Sequence, residues 1–211
     1  MTNTFRWMGG IISITAMLLF TSPAHAIILG NPAPNFKAGD IGVGVALDDI
    51  RETLFLDIGI SEPGTLQVLV GNFEVNQVEG SEFGVGYRHD TGASFNLFEQ
   101  DFKMGGLASF RRGTIEIEGT SEEFAFSQLY IGFGAAITPV DNLNVYAAGI
   151  YERLSGEATN PVTGKKIDTT ESGIGLLLGA EYWLGENIVG GLEMHPGLED
   201  DEIAIFGQYK F

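Results

Sequence analysis

After residue 26, two histidines are the side chains best suited to catalysis, because each lies near an acidic residue. His89 is followed by Asp90 and then by Ser94, and His195 follows Glu193 at a spacing of two. A serine, a histidine and an acid within hydrogen-bond reach of one another could carry out acyl transfer. No motif in the sequence brings such a triad together, so we predict no catalytic residue.

Cofactor and metal motifs are also weak. The 211 residues include no cysteine, which excludes disulfides, thiolate nucleophiles and cysteine metal sites. The acidic run 199–202 is a weak calcium motif on its own. Residues 163–166 resemble part of a phosphate-binding loop, but its first glycine is replaced by Thr159. We therefore predict neither a cofactor nor a metal site.

The charge of the chain excludes one class of partner. The chain has 11 lysines and arginines and 28 aspartates and glutamates, which gives a formal net charge of −17. Such a balance repels the phosphates of DNA and RNA. We expect no nucleic-acid partner.

The first 26 residues differ in composition from the rest of the chain. They contain one basic residue, Arg6, then an apolar stretch at 11–20, and they end with Ala24 and Ala26 in an A-x-A pattern. This order is typical of a cleaved secretory signal, and the apolar stretch is too short for a lasting transmembrane helix. We predict a signal peptide at 1–26 with Ala24 and Ala26 at the cleavage site, an N-terminal periplasmic extension at 27–38 and one domain at 39–211.

The domain alternates between apolar and small or polar residues at a period of two. The pattern is clearest in 41–47, 54–60, 83–88, 128–137, 174–182 and 203–211. Residues two apart lie on the same face of a β-strand, so each segment has one apolar face. The sequence therefore predicts an all-β protein.

The alternation fits two architectures of opposite polarity. A soluble barrel would coat its outer face with charges, whereas a membrane barrel turns its apolar face to lipid. The other face here is rich in glycine and alanine and has few charges, which favours the membrane barrel. The isolated charges on that face are Arg88, Glu152, Glu181 and Glu193. We expect them in the lumen, either in an ion-pair network that closes it or individually in water at its ends.

The C-terminal strand carries the most specific signal. Residues 207–211, Gly-Gln-Tyr-Lys-Phe, follow Ile203 and Ile205 in unbroken alternation. This tail resembles the terminal signal of bacterial outer-membrane β-barrel proteins, and residues 138–146 resemble a short periplasmic turn and the strand after it in small porin-like proteins. The resemblance implies that Gly207, Tyr209 and Phe211 are recognised by the barrel-assembly machinery. It also implies a place in the bacterial outer membrane, in contact with lipid and lipopolysaccharide.

The number of strands decides how open the lumen is. Eleven segments can be counted, and single-chain bacterial barrels have an even number of strands. We predict a closed antiparallel up-and-down transmembrane barrel of ten strands, with eight or twelve as alternatives; the weakest segments are 93–102 and 105–117. Loops are expected outside the cell at 155–170 and 196–201. A barrel of this size is filled or nearly filled by side chains.

These observations favour a non-enzymatic outer-membrane barrel with a structural, surface-interaction or small-solute pore role. Two alternatives remain: a lipid-A-modifying enzyme, an activity that some outer-membrane barrels have, and a soluble secreted barrel that binds an apolar ligand. The aromatic residues near strand ends are expected in interfacial belts. They are Tyr151, Tyr182, Trp183 and Tyr209.

Overall fold

A computed structural model describes residues 28–75, 78–117, 123–159, 166–196 and 203–211. Within these ranges the chain forms ten strands and no helix. Their bounds are β1 Ile41–Leu47, β2 Arg51–Ser61, β3 Gly64–Val75, β4 Val78–Leu97, β5 Gln100–Ile117, β6 Glu123–Val140, β7 Leu143–Thr159, β8 Lys166–Leu184, β9 Ile188–Met194 and β10 Ile203–Lys210. In the same ranges, no helix is long and apolar enough to cross a membrane.

The ten strands form a closed barrel in which every strand is antiparallel to both neighbours. The last strand pairs with the first from Gly42 opposite Lys210 to Leu47 opposite Ile205. The backbone N–H of Phe211 donates to the carbonyl of Ile41 at 2.8 Å. The predicted ten-stranded up-and-down barrel is therefore confirmed. We call the end where β1 begins and β10 stops the terminal end, and the opposite end the loop end.

The apolar faces of the strands point outward. Ile131, Leu176, Leu178 and Ile205 are 51, 53, 39 and 66% exposed, and apolar surface of this extent around a closed sheet requires a hydrocarbon environment. The prediction of a membrane barrel is thus confirmed. The alternative of a soluble secreted barrel is wrong, because that protein would bury these side chains.

Two segments that we predicted as separate strands, 82–89 and 93–102, are not separate. Residues 82–89 and 93–97 belong to the single strand β4, and a register shift between Asp90 and Ser94 interrupts its pairing with β5. The turn after β4 consists of Phe98 and Glu99, both with positive φ. This bulge removed the clean alternation from the sequence and caused the miscount.

The predicted outer loop at 155–170 is wrong over most of its length. Strand β7 continues to Thr159 and β8 begins at Lys166, with paired residues from Ser155 opposite Thr170 to Thr159 opposite Lys166. These residues are polar because water surrounds a strand on both faces once it leaves the membrane. The polar residues therefore show where β7 and β8 leave the membrane. They do not show where these strands end.

The strands differ greatly in length. Strands β4 to β8 have 17–20 residues, whereas β1 and β9 have seven each. A tilted strand crosses the bilayer with about 9–11 residues, so the long strands extend beyond it. Of the 19 residues of β8, only residues 178–184 pair with β9. At the loop end the barrel wall is therefore much taller on one side.

Large side chains also point inward, as predicted for a barrel of this size. Phe55, Leu69 and Phe206 pack in one cluster, and Tyr130, Tyr146 and Leu177 in another. Inward glycines make room for them, as expected: a Cβ on Gly44 would meet the ring of Phe55, and one on Gly179 the ring of Tyr146. Trp183 is likewise partly buried against the first cluster, so its predicted place in an outer aromatic belt is wrong.

Candidate functional site, the sealed lumen

The N-terminal segment lies inside the barrel. Ile28, Leu29, Asn31, Ala33 and Phe36 are each at most 6% exposed, and Leu29 and Ala33 pack in the apolar cluster that contains Tyr130 and Tyr146. The interpretation of 27–38 as an extension outside the barrel is therefore wrong for residues 28–36. Ten strands enclose more space than the eight that side chains alone can fill, and this segment occupies the difference.

Glu193 on β9 holds the start of this segment. Its carboxylate accepts the backbone N–H of Leu29 at 2.7 Å and that of Gly30 at 2.9 Å. The same carboxylate accepts the hydroxyl of Tyr146 at 2.9 Å and lies 3.1 Å from Nε2 of His195. Glu193 is fully buried, and hydrogen bonds to a buried carboxylate are stronger than neutral ones.

Two further wall residues hold the segment. Oε1 of Glu181 accepts the side-chain amide of Asn31 at 3.2 Å and that of Asn144 at 2.8 Å. Nη2 of Arg111 donates to the carbonyl of Ile28 at 3.4 Å. The first four described residues are thus bound to β5, β8 and β9.

Two wall glycines fit the backbone of the segment. A Cβ on Gly105 of β5 would collide with the carbonyl oxygen of Pro32, and one on Gly59 of β2 with that of Lys37. The segment leaves the lumen through Gly39, which has φ +92° and donates its N–H to the carbonyl of Gly59 at 2.8 Å. Only glycine adopts this φ without strain.

Buried ion pairs fill other parts of the lumen. Oε1 of Glu82 lies 3.3 Å from Arg51 and 3.2 Å from Arg111, and all three side chains are almost completely buried. Oδ1 of Asp57 lies 2.7 Å from Arg88. Its Oδ2 accepts the side-chain amide of Gln208 at 2.8 Å, which links β2 to β10 next to the closure of the barrel.

The four lumen charges expected from the sequence all lie inside the barrel and are at most 8% exposed. They are Arg88, Glu152, Glu181 and Glu193. The contacts described above do not join them to one another, because Arg88 pairs with Asp57 and Glu193 binds the N-terminal segment. Glu152 accepts the hydroxyl of Tyr130 at 2.9 Å.

Sequence reasoning missed four other buried charges. These are Arg51, Asp57, Glu82 and Arg111. A signal was present for three of them. Glu82 precedes the outward Phe83, Arg111 follows the outward Phe110, and Asp57 lies on the non-apolar face of segment 54–60, so alternation places all three inside.

Cavities in the described part of the chain lie mainly at the loop end. A cleft of about 830 Å³ opens there, with Arg51 and six acidic residues among its lining, Asp48, Asp49, Glu52, Glu74, Glu79 and Glu116. Deeper in the barrel, beside Asn31 and Arg88, the space between segment and wall is only about 20 Å³. A space of that size holds about one water molecule, so little free volume remains between the segment and the wall at this place.

The predicted residues of the C-terminal tail lie on the outer surface of the barrel. Tyr209 and Phe211 are 47 and 71% exposed, with ring centroids 4.9 Å apart on the outer face beside Gly207. Ala24 and Ala26 lie outside the described residues, as do 160–165 and 197–202.

The two histidines do not form the triad considered above. Nδ1 of His89 lies 3.0 Å from the hydroxyl of Tyr87, and His195 contacts Glu193. The hydrogen bonds of these two rings within the described ranges do not involve a serine.

Similarity to known proteins is confined to weak matches among solved structures. No family model matches the chain, and no curated protein matches it. Among solved structures, it is similar to Ail, the attachment invasion locus protein of Yersinia pestis, crystallised with the heparin analogue sucrose octasulfate. That match has 12% identity and a TM-score of 0.45 and covers 82% of this chain and 99% of Ail.

Two further solved structures are similar at 12% identity and a TM-score of 0.34. One is the N-terminal β-barrel domain of Pseudomonas aeruginosa OprF, with 82% of this chain and 96% of that chain covered. The other is the KdgM porin, with 82% and 99% covered. At this identity the likeness concerns the fold alone. The closed even-stranded sheet and its apolar outer face make this chain a β-barrel of the bacterial outer membrane.

Proposed function

We propose that this protein is a sealed outer-membrane barrel with a structural and surface-interaction role, and that it is neither an enzyme nor a permanently open pore. The observation that carries this proposal is the N-terminal segment inside the lumen, bound through Leu29 and Gly30 to Glu193. A pore needs a continuous aqueous path, and the segment lies inside the lumen where that path would run. The tall wall of β4 to β8 at the loop end supplies surface beyond the membrane.

Two outer regions of the barrel, the apolar faces of the strands and the last strand, indicate its partners. Membrane lipid and lipopolysaccharide would surround the apolar faces of the strands. The barrel-assembly machinery would recognise the last strand through Gly207, Tyr209 and Phe211, which lie on or near the outer surface. Residues 1–26 would direct export and be removed after Ala26.

Planar-bilayer recording of the purified chain tests the sealed state. We expect no sustained conductance from protein that shows heat-modifiable gel mobility, which verifies an intact barrel. Discrete, long-lived channel steps from such protein would contradict the proposal and favour the small-solute pore.

A lipid-A-modifying activity is the second candidate, and the contacts of His89 and His195 do not favour it. Mass spectrometry of lipid A from cells with and without the gene separates the two. We expect unchanged acylation. A change that depends on His89 or His195 would establish the enzyme instead.

A further inference from the structure

The N-terminal segment fills the barrel without being part of its wall. All ten strands are paired around the closed sheet, and β1 begins at Ile41, after the segment has left the lumen. Closure from β1 to β10 uses residues 42–47 and 205–210. The wall therefore keeps its backbone hydrogen bonds whether or not residues 28–38 are in place.

The polar contacts of the segment, unlike the apolar packing of Leu29 and Ala33, are of a kind that water can replace. Its polar anchors are the hydrogen bonds to Glu193, Glu181 and Arg111. Charged groups recover hydration when a channel fills with water, which offsets part of the loss of these bonds. The segment leaves the lumen at Gly39, a residue with φ +92°, and glycine has more backbone freedom than any other residue.

We propose that residues 28–38 form a displaceable plug, and that the barrel conducts small cations when the plug leaves. This inference extends the sealed state proposed above by making the seal a gate. Hereafter we call residues 28–38 the plug.

The preference for cations follows from the charges that the plug leaves behind. Asp57 and Arg88 neutralise each other at 2.7 Å. Glu193 and Glu181 would lose the donors that the plug supplies, and Arg111 would lose the carbonyl of Ile28. The balance stays negative, because five carboxylates and three arginines are buried in the described part of the barrel: Asp57, Glu82, Glu152, Glu181 and Glu193 against Arg51, Arg88 and Arg111. Two carboxylates in a narrow lumen attract cations and repel anions.

The wall glycines allow a test in the full-length chain. Gly105→Ala places a methyl group against the carbonyl of Pro32, so the plug has to move. Gly86→Ala is the matched control, because its Cβ would lie 3.6 Å from its nearest neighbours, an ordinary contact. Both glycines lie on inner faces of adjacent strands.

In planar bilayers we expect Gly105→Ala to conduct and Gly86→Ala to stay silent like the parent chain. In a potassium chloride gradient, the reversal potential of Gly105→Ala should have the sign of potassium selectivity. An intact, heat-modifiable Gly105→Ala barrel that stays silent, or one that selects chloride, would overturn the inference. Silence of the parent chain leaves the proposed function standing in either case, so the two proposals fail separately.

A labelling experiment decides the matter even if Gly105→Ala does not assemble. The chain has no native cysteine, so a single thiol can be placed at buried Ala33 or at exposed Asn35. If the plug leaves the lumen, a cationic thiol reagent will in time modify every Ala33→Cys molecule. Because labelling must wait for the plug to leave, its rate should be slower than that of Asn35→Cys by about tenfold or more. Complete protection of Ala33→Cys over hours, with prompt labelling of Asn35→Cys, would show a permanent filling and refute the gate.

Discussion

The ion-pair cluster of Glu82, Arg51 and Arg111 allows a sharp test of what stabilises the lumen. One carboxylate lies 3.3 and 3.2 Å from two guanidinium groups, and all three side chains are at most 3% exposed. Removing one partner of a buried pair costs about 3–5 kcal/mol, because the other charge remains buried without compensation. Glu82→Gln leaves two such charges facing each other, so we expect a loss at the upper end of this range.

Arg51→Met should have a much smaller effect, although it changes the same cluster. It leaves the 3.2 Å pair between Glu82 and Arg111 intact and replaces a buried cation with a shorter, unbranched apolar chain. We expect a cost below about 2 kcal/mol, the order of one charged hydrogen bond. In the double variant, Arg51→Met should recover part of the loss caused by Glu82→Gln, because one uncompensated cation is removed.

Urea unfolding of the barrel in lipid vesicles measures these differences. Trp183 lies partly buried against an inner apolar cluster and reports loss of the packed lumen by its fluorescence. The variants must first show heat-modifiable mobility. The reasoning is refuted if Arg51→Met costs as much as Glu82→Gln, or if the two losses simply add in the double variant.

Three further predictions concern the outer face, the glycines and the tail. Leu176→Arg, on the lipid-facing side of β8, should cost about 2–4 kcal/mol in urea unfolding, against about 0–1 kcal/mol for Leu184→Arg at the end of the same strand; equal costs would contradict the assigned membrane position. Gly44→Ala should cost about 1–3 kcal/mol because its methyl group meets an aromatic ring, while Gly149→Ala, with no atom within 4 Å, should be nearly neutral by the same measurement. Phe211→Ser should lower the amount of heat-modifiable barrel in outer-membrane fractions, without changing unfolding of the refolded protein; unchanged amounts would remove this residue from the assembly signal.

The polarity and strand number could be predicted because they depend on local pattern. Alternation in segments such as 128–137 and 203–211 decides which side chains face lipid, whatever lies inside. The bulge between Asp90 and Ser94 shows where this reasoning weakens, since a bulge shifts the period without changing composition. The extent of β7 and β8 was missed because polar strand residues beyond the membrane resemble a loop.

The plug could not be predicted from periodicity. Residues 28–36 form no strand in the structure, so they carry no repeating pattern, and their contacts reach 150 residues or more along the chain, as from Asn31 to Glu181. The ion pairs of the lumen present the same difficulty. Alternation can place Arg88 inside, but the choice of Asp57 as its partner depends on how β2 and β4 are arranged around the barrel.

The unequal strand lengths mean that stability varies along the barrel axis. Within the described ranges, β9 pairs with β8 only from residue 178 to 184. Apart from the bond from the N–H of Leu176 to the carbonyl of Pro196 at 3.2 Å, the part of β8 toward the loop end is hydrogen-bonded there to β7 alone. Amide hydrogens there should exchange with solvent faster than those in the bilayer, where every strand has two neighbours and water is scarce. A protease added from outside the cell would therefore cleave the strands at the loop end first. The part of the barrel in the bilayer, including the pairing of β1 with β10, would resist cleavage.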